Sequence, residues 1–237
     1  MATKQNSSDR SIAQITNSFE IVEAYKTLRA NLIFSMAPMS RKVIVISGPE
    51  PNTGKSTTSC HIAVMMAQTS KRVLLIDADL RRPKLHRLFR VNHAGGLTSH
   101  LLSGGDWEKC VCKEVAPHLD LMTAGPIPPN PSELLGSQRM SHFLDQVAEQ
   151  YDYVFIDTSP INVVTDALVL SARTAGTVLV ARQNQTGYDE LQQAIEGIKK
   201  VNGTLLGVVL NDYQPSLSEE KRLAYRQYGY GEPNEKK

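Results

Sequence analysis

Val43-Ile-Val-Ile-Ser47 runs without a charge into Gly48-Pro-Glu-Pro-Asn-Thr-Gly54-Lys55-Ser56-Thr57, and a helical pattern follows. A β-branched run that turns through Gly-Lys-Ser-Thr into a helix constrains the chain to a strand–loop–helix unit, the setting that holds a nucleotide triphosphate. Consecutive backbone N–H groups at a helix N-terminus point at the phosphates, the helix dipole favours their charge, and Lys55 adds a mobile cation. Pro49 and Pro51 have no N–H to donate, so the amides of Thr53, Gly54, Lys55, Ser56 and Thr57 are the expected cradle. The Ser56 hydroxyl is the expected protein ligand of Mg²⁺. In the usual G-x-x-x-x-G-K-[ST] pattern the first Gly would stand at Pro49, and here Gly48 lies one place early. A chance Gly-Lys-Ser at a strand–helix turn is the competing explanation.

Two further strand ends weaken that alternative. Val73-Leu-Leu-Ile-Asp77-Ala-Asp79-Leu-Arg81 is an apolar run ending in two carboxylates one residue apart, and Tyr153-Val-Phe-Ile-Asp157 is another ending in Asp. In a parallel sheet, ligands bind outside the carboxyl ends of the strands, so the three ends converge on one crevice. Aspartates there hold Mg²⁺ directly or through water, and one can accept a proton from an attacking hydroxyl. A lone Asp at such a place is better explained as a helix cap. Three beside a Gly-Lys-Ser loop are not.

The 237 residues suffice for one α/β unit with a substantial core. Lys and Arg number 26 against 24 Asp and Glu, a net charge of +2, which gives no electrostatic case for nucleic acid. Charges interrupt every apolar run before the roughly 18 residues of a membrane span, and the polar N-terminus lacks a signal-peptide core, so the expected location is cytoplasmic. Cys60 is expected in the core, and Cys110 and Cys112 form a C-x-C pair with no second pair to complete a zinc site. The six histidines show no metal spacing and are expected at the surface.

Residues 1–16 are polar and expected to be flexible. Ile21, Tyr25, Leu28 and Leu32 predict a helix over 18–37, with Asn17 and Glu20 as a capping box. The remaining pattern predicts strands at 43–47, 73–77, 119–123, 153–157, 177–181 and 205–210. Helices are expected at 55–69, up to about 150, at 163–172 and at 188–201. A long irregular region separates the second and third strands. This alternation predicts a mostly parallel sheet with helices on both faces, one domain over 17–215, and a flexible polar tail over 216–237. Three tyrosines within six residues of that tail, Tyr225, Tyr228 and Tyr230, read as a recognition or modification cluster.

The order of these motifs resembles the deviant P-loop ATPases, and within them the bacterial protein tyrosine kinases of capsule and exopolysaccharide synthesis. The likeness rests on Gly54-Lys55-Ser56-Thr57, Asp77-Ala-Asp79-Leu-Arg81, Pro128-Pro-Asn-Pro-Ser-Glu-Leu-Leu135, Asp157 and the tail tyrosines. Partition and septum-placement ATPases of the same class typically carry a signature lysine early in the loop; Glu50 stands there, with no lysine between Ser47 and Lys55. The resemblance implies ATP and Mg²⁺ as cofactors and autophosphorylation of tyrosine. It makes Lys55, Asp77, Asp79 and Asp157 catalytic, with Asp77 as base and Asp79 and Asp157 holding the metal and its waters. Asn211 falls where the family reads adenine, although a turn-forming Asn-Asp explains it nearly as well. Arg81 and Arg82 are read either as contacts to phosphate or a neighbouring subunit, or as plain surface residues.

The family's assembly helix carries Glu-x-x-Arg-x-x-Arg. Here it reads Glu23, Lys26 and Arg29, so a homo-oligomeric ring is implied with one planar guanidinium lost. A separate membrane-embedded activator recruiting the chain to the inner face of the membrane, and protein tyrosine substrates, are the partners implied.

Overall fold

The computed structural model describes residues 19–92 and 95–214. Seven strands form one sheet: β1 (Val43–Ser47), β2 (Val73–Asp77), β3 (Val111–Ala116), β4 (Leu119–Met122), β5 (Tyr153–Asp157), β6 (Gly176–Arg182) and β7 (Leu205–Asn211). Their order is β3-β4-β2-β5-β1-β6-β7, and every neighbouring pair is parallel except β3 with β4. The described helices are α1 (Phe19–Met36), α2 (Lys55–Ala67), α3 (Leu85–Phe89), α4 (Leu97–Ser103), α5 (Pro131–Leu135), α6 (Gln138–Gln150), α7 (Asp166–Ser171) and α8 (Tyr188–Lys200).

Strands β1, β2 and β5 are buried along their whole length, which is why they read as unbroken apolar runs. Their alternate side chains enter different cores. Val45, Ile76, Val154 and Ile156 meet Met140, Phe143 and Val147 of α6. Ile44, Ile46, Leu75 and Phe155 meet Cys60, Ile62 and Met66 of α2, with Leu32 and Met36 of α1 beyond. Helices therefore cover both faces, as the sequence implies. The register sets Asp77 directly beside Asp157 and Ile46 on the other side of it, so the central strands end level at one edge.

The expected irregular stretch after β2 is more ordered than its sequence implies. It holds α3, α4, a 3₁₀ turn at Trp107–Cys110 and the antiparallel edge strand β3. The two helices are five and seven residues long, too short for a helical period to emerge. In β3 the central Lys113 and Glu114 are exposed, and an irregularity in the pairing takes Glu114 to φ 50°, which hides the alternation. Trp107 anchors the region edge-on to Phe143, with ring centroids 5.9 Å apart.

Two histidines expected at the surface are buried. His61 stacks on Tyr25 at 4.7 Å where α1 lies on α2, and burial pushes its pKa down to about 4, so the neutral ring packs as an aromatic. His100 lies beside Phe143, with Nδ1 2.9 Å from the Gly105 carbonyl, and burial lowers its pKa. Cys60 is buried as expected. Among the described residues no helix is long and apolar enough to cross a membrane. Asn17, His93, the first 16 residues and the tail from 216 to 237, with Tyr225, Tyr228 and Tyr230, lie outside the described residues.

Candidate active site

The loop after β1 enters α2 through Gly54, whose φ of 98° is a left-handed conformation that disfavours any side chain. A Cβ there would strike the side chain of Asn211, and one on Gly48 would lie 2.6 Å from the Val180 carbonyl. The loop is also held from outside. Asn211, at the end of β7, donates from Nδ2 to the Thr53 carbonyl at 3.0 Å, and Gln185 donates to the Pro51 carbonyl at 2.9 Å. Asn211 thus braces the phosphate loop. Thr53, Lys55 and Ser56 are buried at the mouth of α2, and Thr57 follows them in its first turn. Burial lowers the Lys55 pKa, while Asp157 and Asp79 pull it back up.

Three carboxylates face this lysine's neighbourhood. Asp77 and Asp157 are fully buried and Asp79 nearly so. Asp77 Oδ2 accepts the backbone N–H groups of Lys84 and Leu85 at 3.1 and 3.0 Å, so one oxygen does cap the start of α3. Its Oδ1 is buried and unpartnered. Asp157 Oδ1 accepts the Ser59 hydroxyl at 3.1 Å, and its Oδ2 is likewise buried and unpartnered. Asp79 Oδ1 accepts the Ser159 hydroxyl at 2.7 Å and the Arg82 N–H at 3.1 Å.

Burial, then the adjacent Asp157, raises the Asp77 pKa well above the carboxylate range. Burial also pushes Asp157 up to about 6, against the Ser56 hydroxyl and Lys55, which pull it down. Two buried carboxylates with orphan oxygens on adjacent strand ends form a negative site that a cation would relieve. No all-protein metal cage closes among the described residues. Mg²⁺ does not require one, because it keeps waters and takes phosphate oxygens beside one or two carboxylates. The residues present fit that ion.

Arg81 is exposed but held in place. Its Nε donates to Asp166 Oδ2 at 2.8 Å, and Nη2 donates to Asp166 Oδ1 and the Ser132 hydroxyl, each at 3.1 Å. Ser132 in turn donates to Asp166 Oδ1. Burial alone would raise the Asp166 pKa, but Arg81 and Ser132 bring it below the usual range. This network ties the Asp77-x-Asp79-x-Arg81 strand end to the proline-rich segment that carries α5. Asp166 was not legible in the sequence, because it opens a six-residue helix with no motif around it. The Pro-Ser132-Glu segment was the only hint.

On α1, Lys26 pairs with Glu23 at 2.6 Å, both half exposed. Arg29 donates to the Met65 carbonyl of α2 at 2.9 Å. The helix proposed to mediate assembly is therefore fastened to the helix that follows the phosphate loop.

The description "AAA domain" fits residues 41–210. Tyrosine-protein kinase YwqD of Bacillus subtilis is 39% identical over 208 residues, 88% of this chain and 85% of that protein. The chain belongs to the bacterial tyrosine-protein kinase family. A putative tyrosine-protein kinase of the same family, CapB of Staphylococcus aureus, is 34% identical over 90% of this chain and 91% of its own length. The chain spans only 29% of the putative kinase EpsB of Ralstonia solanacearum, so some members carry this kinase within a longer polypeptide.

Among solved structures, the chimerical protein CapA2B2 superposes with a TM-score of 0.80 at 36% identity, covering 89% of this chain and 92% of that one. The kinase domain of Escherichia coli ETK superposes at 0.81 and 30%, covering 90% and 86%. Apo McdA from Cyanothece, at 21% identity and a TM-score of 0.63, shares the fold alone. The kinase family, not the partition ATPases, is where this chain falls.

Proposed function

We propose that this kinase transfers the γ-phosphoryl group of ATP to tyrosine, on its own tail residues Tyr225, Tyr228 and Tyr230 and on other proteins, in control of capsular or extracellular polysaccharide synthesis and export. The observation that carries the reading is the pair of unpartnered buried oxygens, Asp77 Oδ1 and Asp157 Oδ2, beside the buried Lys55 at the mouth of α2. An acid or base held without a partner at a phosphate loop is poised for a proton or a cation.

In the proposed step the tyrosine oxygen bonds to the γ-phosphorus as the bond from that phosphorus to the β,γ-bridging oxygen breaks. ADP leaves, and the phenolic proton passes to Asp77. Mg²⁺ held by Ser56, Asp79 and Asp157 would neutralise charge on the phosphates when bound. The amides of Thr53 to Thr57 and Lys55 would receive the phosphates, and Lys55 would follow the transferred group. Asn211, placed against the loop, would meet the nucleotide's base side. The Ser159 hydroxyl fixes Asp79, and the two α3 amides fix Asp77 Oδ2, leaving Oδ1 to take the proton.

Glu23, Lys26 and Arg29 are the proposed contact of a homo-oligomeric ring. The proposed activator is a membrane-embedded protein of polysaccharide export whose cytoplasmic segment docks the kinase at the membrane. The two-part name CapA2B2 of a similar structure is in keeping with a partner of that kind.

Labelled ATP and Mg²⁺ test the reading. Label is expected on protein tyrosine, and Lys55→Met and Asp77→Asn should each nearly abolish it in folded protein. Label appearing only as free phosphate would favour a non-kinase ATPase switch instead.

A further inference from the structure

Between Asp79 and Asp106 the chain holds five arginine and lysine residues and no aspartate or glutamate, in a protein whose whole net charge is only +2. Arg81 spends its charge on Asp166. The other four, Arg82, Lys84, Arg87 and Arg90, are exposed, and none of their side chains has an ion pair or hydrogen bond among the described residues.

They also lie in a definite order. The backbone N–H of Arg82 is bonded to Asp79 and that of Lys84 to Asp77, so the row begins at the catalytic carboxylates. The backbone N–H of Lys84 on Asp77 keeps that residue at the edge of the crevice, and its charge helps lower the Lys55 pKa. Leu85 of α3 is buried and Leu88 and Phe89 pack on the core, which turns Arg87 and Arg90 outward. From Lys84 to Arg90 the helical rise is about 9 Å, the length of roughly three residues of extended peptide.

We propose that this row is the docking site for an acidic segment beside the acceptor tyrosine of a protein substrate, resting on the kinase reading above. A tyrosine entering the crevice toward Asp77 would lay its flanking residues along Lys84, Arg87 and Arg90. Glutamate or aspartate within a few positions of that tyrosine would meet unpaired cations. The kinase's own tail is not the complementary occupant. Residues 215–237 carry Glu219, Glu220, Glu232 and Glu235 against Lys221, Arg222, Arg226, Lys236 and Lys237. Its four carboxylates against five cations leave it close to neutral, so this row holds it less well than it would hold an acidic segment. The row thus selects other proteins.

The test compares two peptides with the same tyrosine, one flanked by glutamates and one by glutamines, on the full chain and on Arg87→Glu/Arg90→Glu. Neither arginine belongs to the catalytic machinery, and Arg87→Gln/Arg90→Gln serves as the milder second variant, with thermal unfolding recorded for both. KM for the glutamate peptide should rise about tenfold in the charge-reversed variant with kcat unchanged. KM for the glutamine peptide should not move. The parent's preference for glutamates should fade between about 50 and about 500 mM salt. Anisotropy of the labelled glutamate peptide without ATP reads docking by itself, so loss of transfer with retained, Arg87- and Arg90-dependent binding would overturn the kinase reading and keep the dock. Equal KM for both peptides in the parent would overturn the dock. So would vesicles of acidic phospholipid whose binding the variants abolish while peptide KM stays constant, because the row would then serve a membrane.

Discussion

Asp157→Asn should make the metal-free protein more stable while ruining its metal site. Asp157 is fully buried with Oδ2 unpartnered, and its pKa stands at about 6 against 3.8 for a free side chain. The folded state therefore holds the proton more tightly than the unfolded chain does. A native pKa raised above the unfolded one means stability is highest at low pH, falls as pH rises from about 4 to about 6, and is constant above that. Two pKa units at 1.36 kcal/mol each give a destabilisation of roughly 3 kcal/mol at pH 8 and about half of that at pH 5.

Asparagine removes the charge but keeps an acceptor for the Ser59 hydroxyl. For a domain of this size 3 kcal/mol corresponds to a rise in Tm of roughly 6 to 12 °C. Thermal unfolding in EDTA at pH 4, 5 and 8 measures it. The gain should be largest at pH 8 and close to nothing at pH 4. Added Mg²⁺ with nucleotide should stabilise the parent at pH 8 and the variant much less. A variant no more stable than the parent at pH 8, or equally stabilised at all three values, would refute the claim that this carboxylate is an uncompensated buried charge.

Other outcomes follow from the same site. Asp166→Asn weakens the charge-assisted bonds from Arg81 and should cost about 1 to 3 kcal/mol of stability; because Arg81 lies two residues from Asp79, it should also raise the Mg²⁺ concentration for half-maximal activity, read by metal titration. A Lys55→Met chain mixed with an active chain lacking residues after Leu223 should gain tyrosine phosphate in its tail if the proposed ring sets subunits side by side, and an unlabelled Lys55→Met chain would end the trans account. Three phosphates add about −1.5 to −2 charges each, so the labelled assembly should be smaller by sedimentation, and an unchanged size would end the proposed switch. The purified chain should turn over slowly and be accelerated by the cytoplasmic segment of the proposed membrane-embedded activator, which a rate unchanged by host membrane extracts would contradict.

Much of this architecture is legible from residues alone because its central strands are buried on both faces. Val43–Ser47, Val73–Asp77 and Tyr153–Asp157 carry no charge before their last residue, and all three end at the edge where the candidate site lies. That Lys55, Asp77, Asp79 and Asp157 lie together was legible because strand ends in a parallel sheet share an edge. What escaped lay where pattern gives no period. Helices α3 and α4 are too short, β3 is an irregular edge strand with two charges at its centre, and His61 and His100 are hidden by contacts that no spacing reports. Asp166 escaped for the same reason. Its importance comes from Arg81, which is 85 residues away in sequence and bonded to it in space. Asn211 was singled out by its place after β7, but its hold on the Thr53 carbonyl is visible only in three dimensions.

The central claim is that the crevice at the ends of β1, β2 and β5 moves phosphate onto tyrosine. Intact-mass and peptide mass spectrometry of the purified chain, before and after incubation with ATP and Mg²⁺, tests it most directly. Phosphate should accumulate on Tyr225, Tyr228 and Tyr230 in the parent and be absent in folded Asp77→Asn. ATP consumed by a parent chain whose tyrosines stay unmodified, even with host membrane extract present, would contradict it.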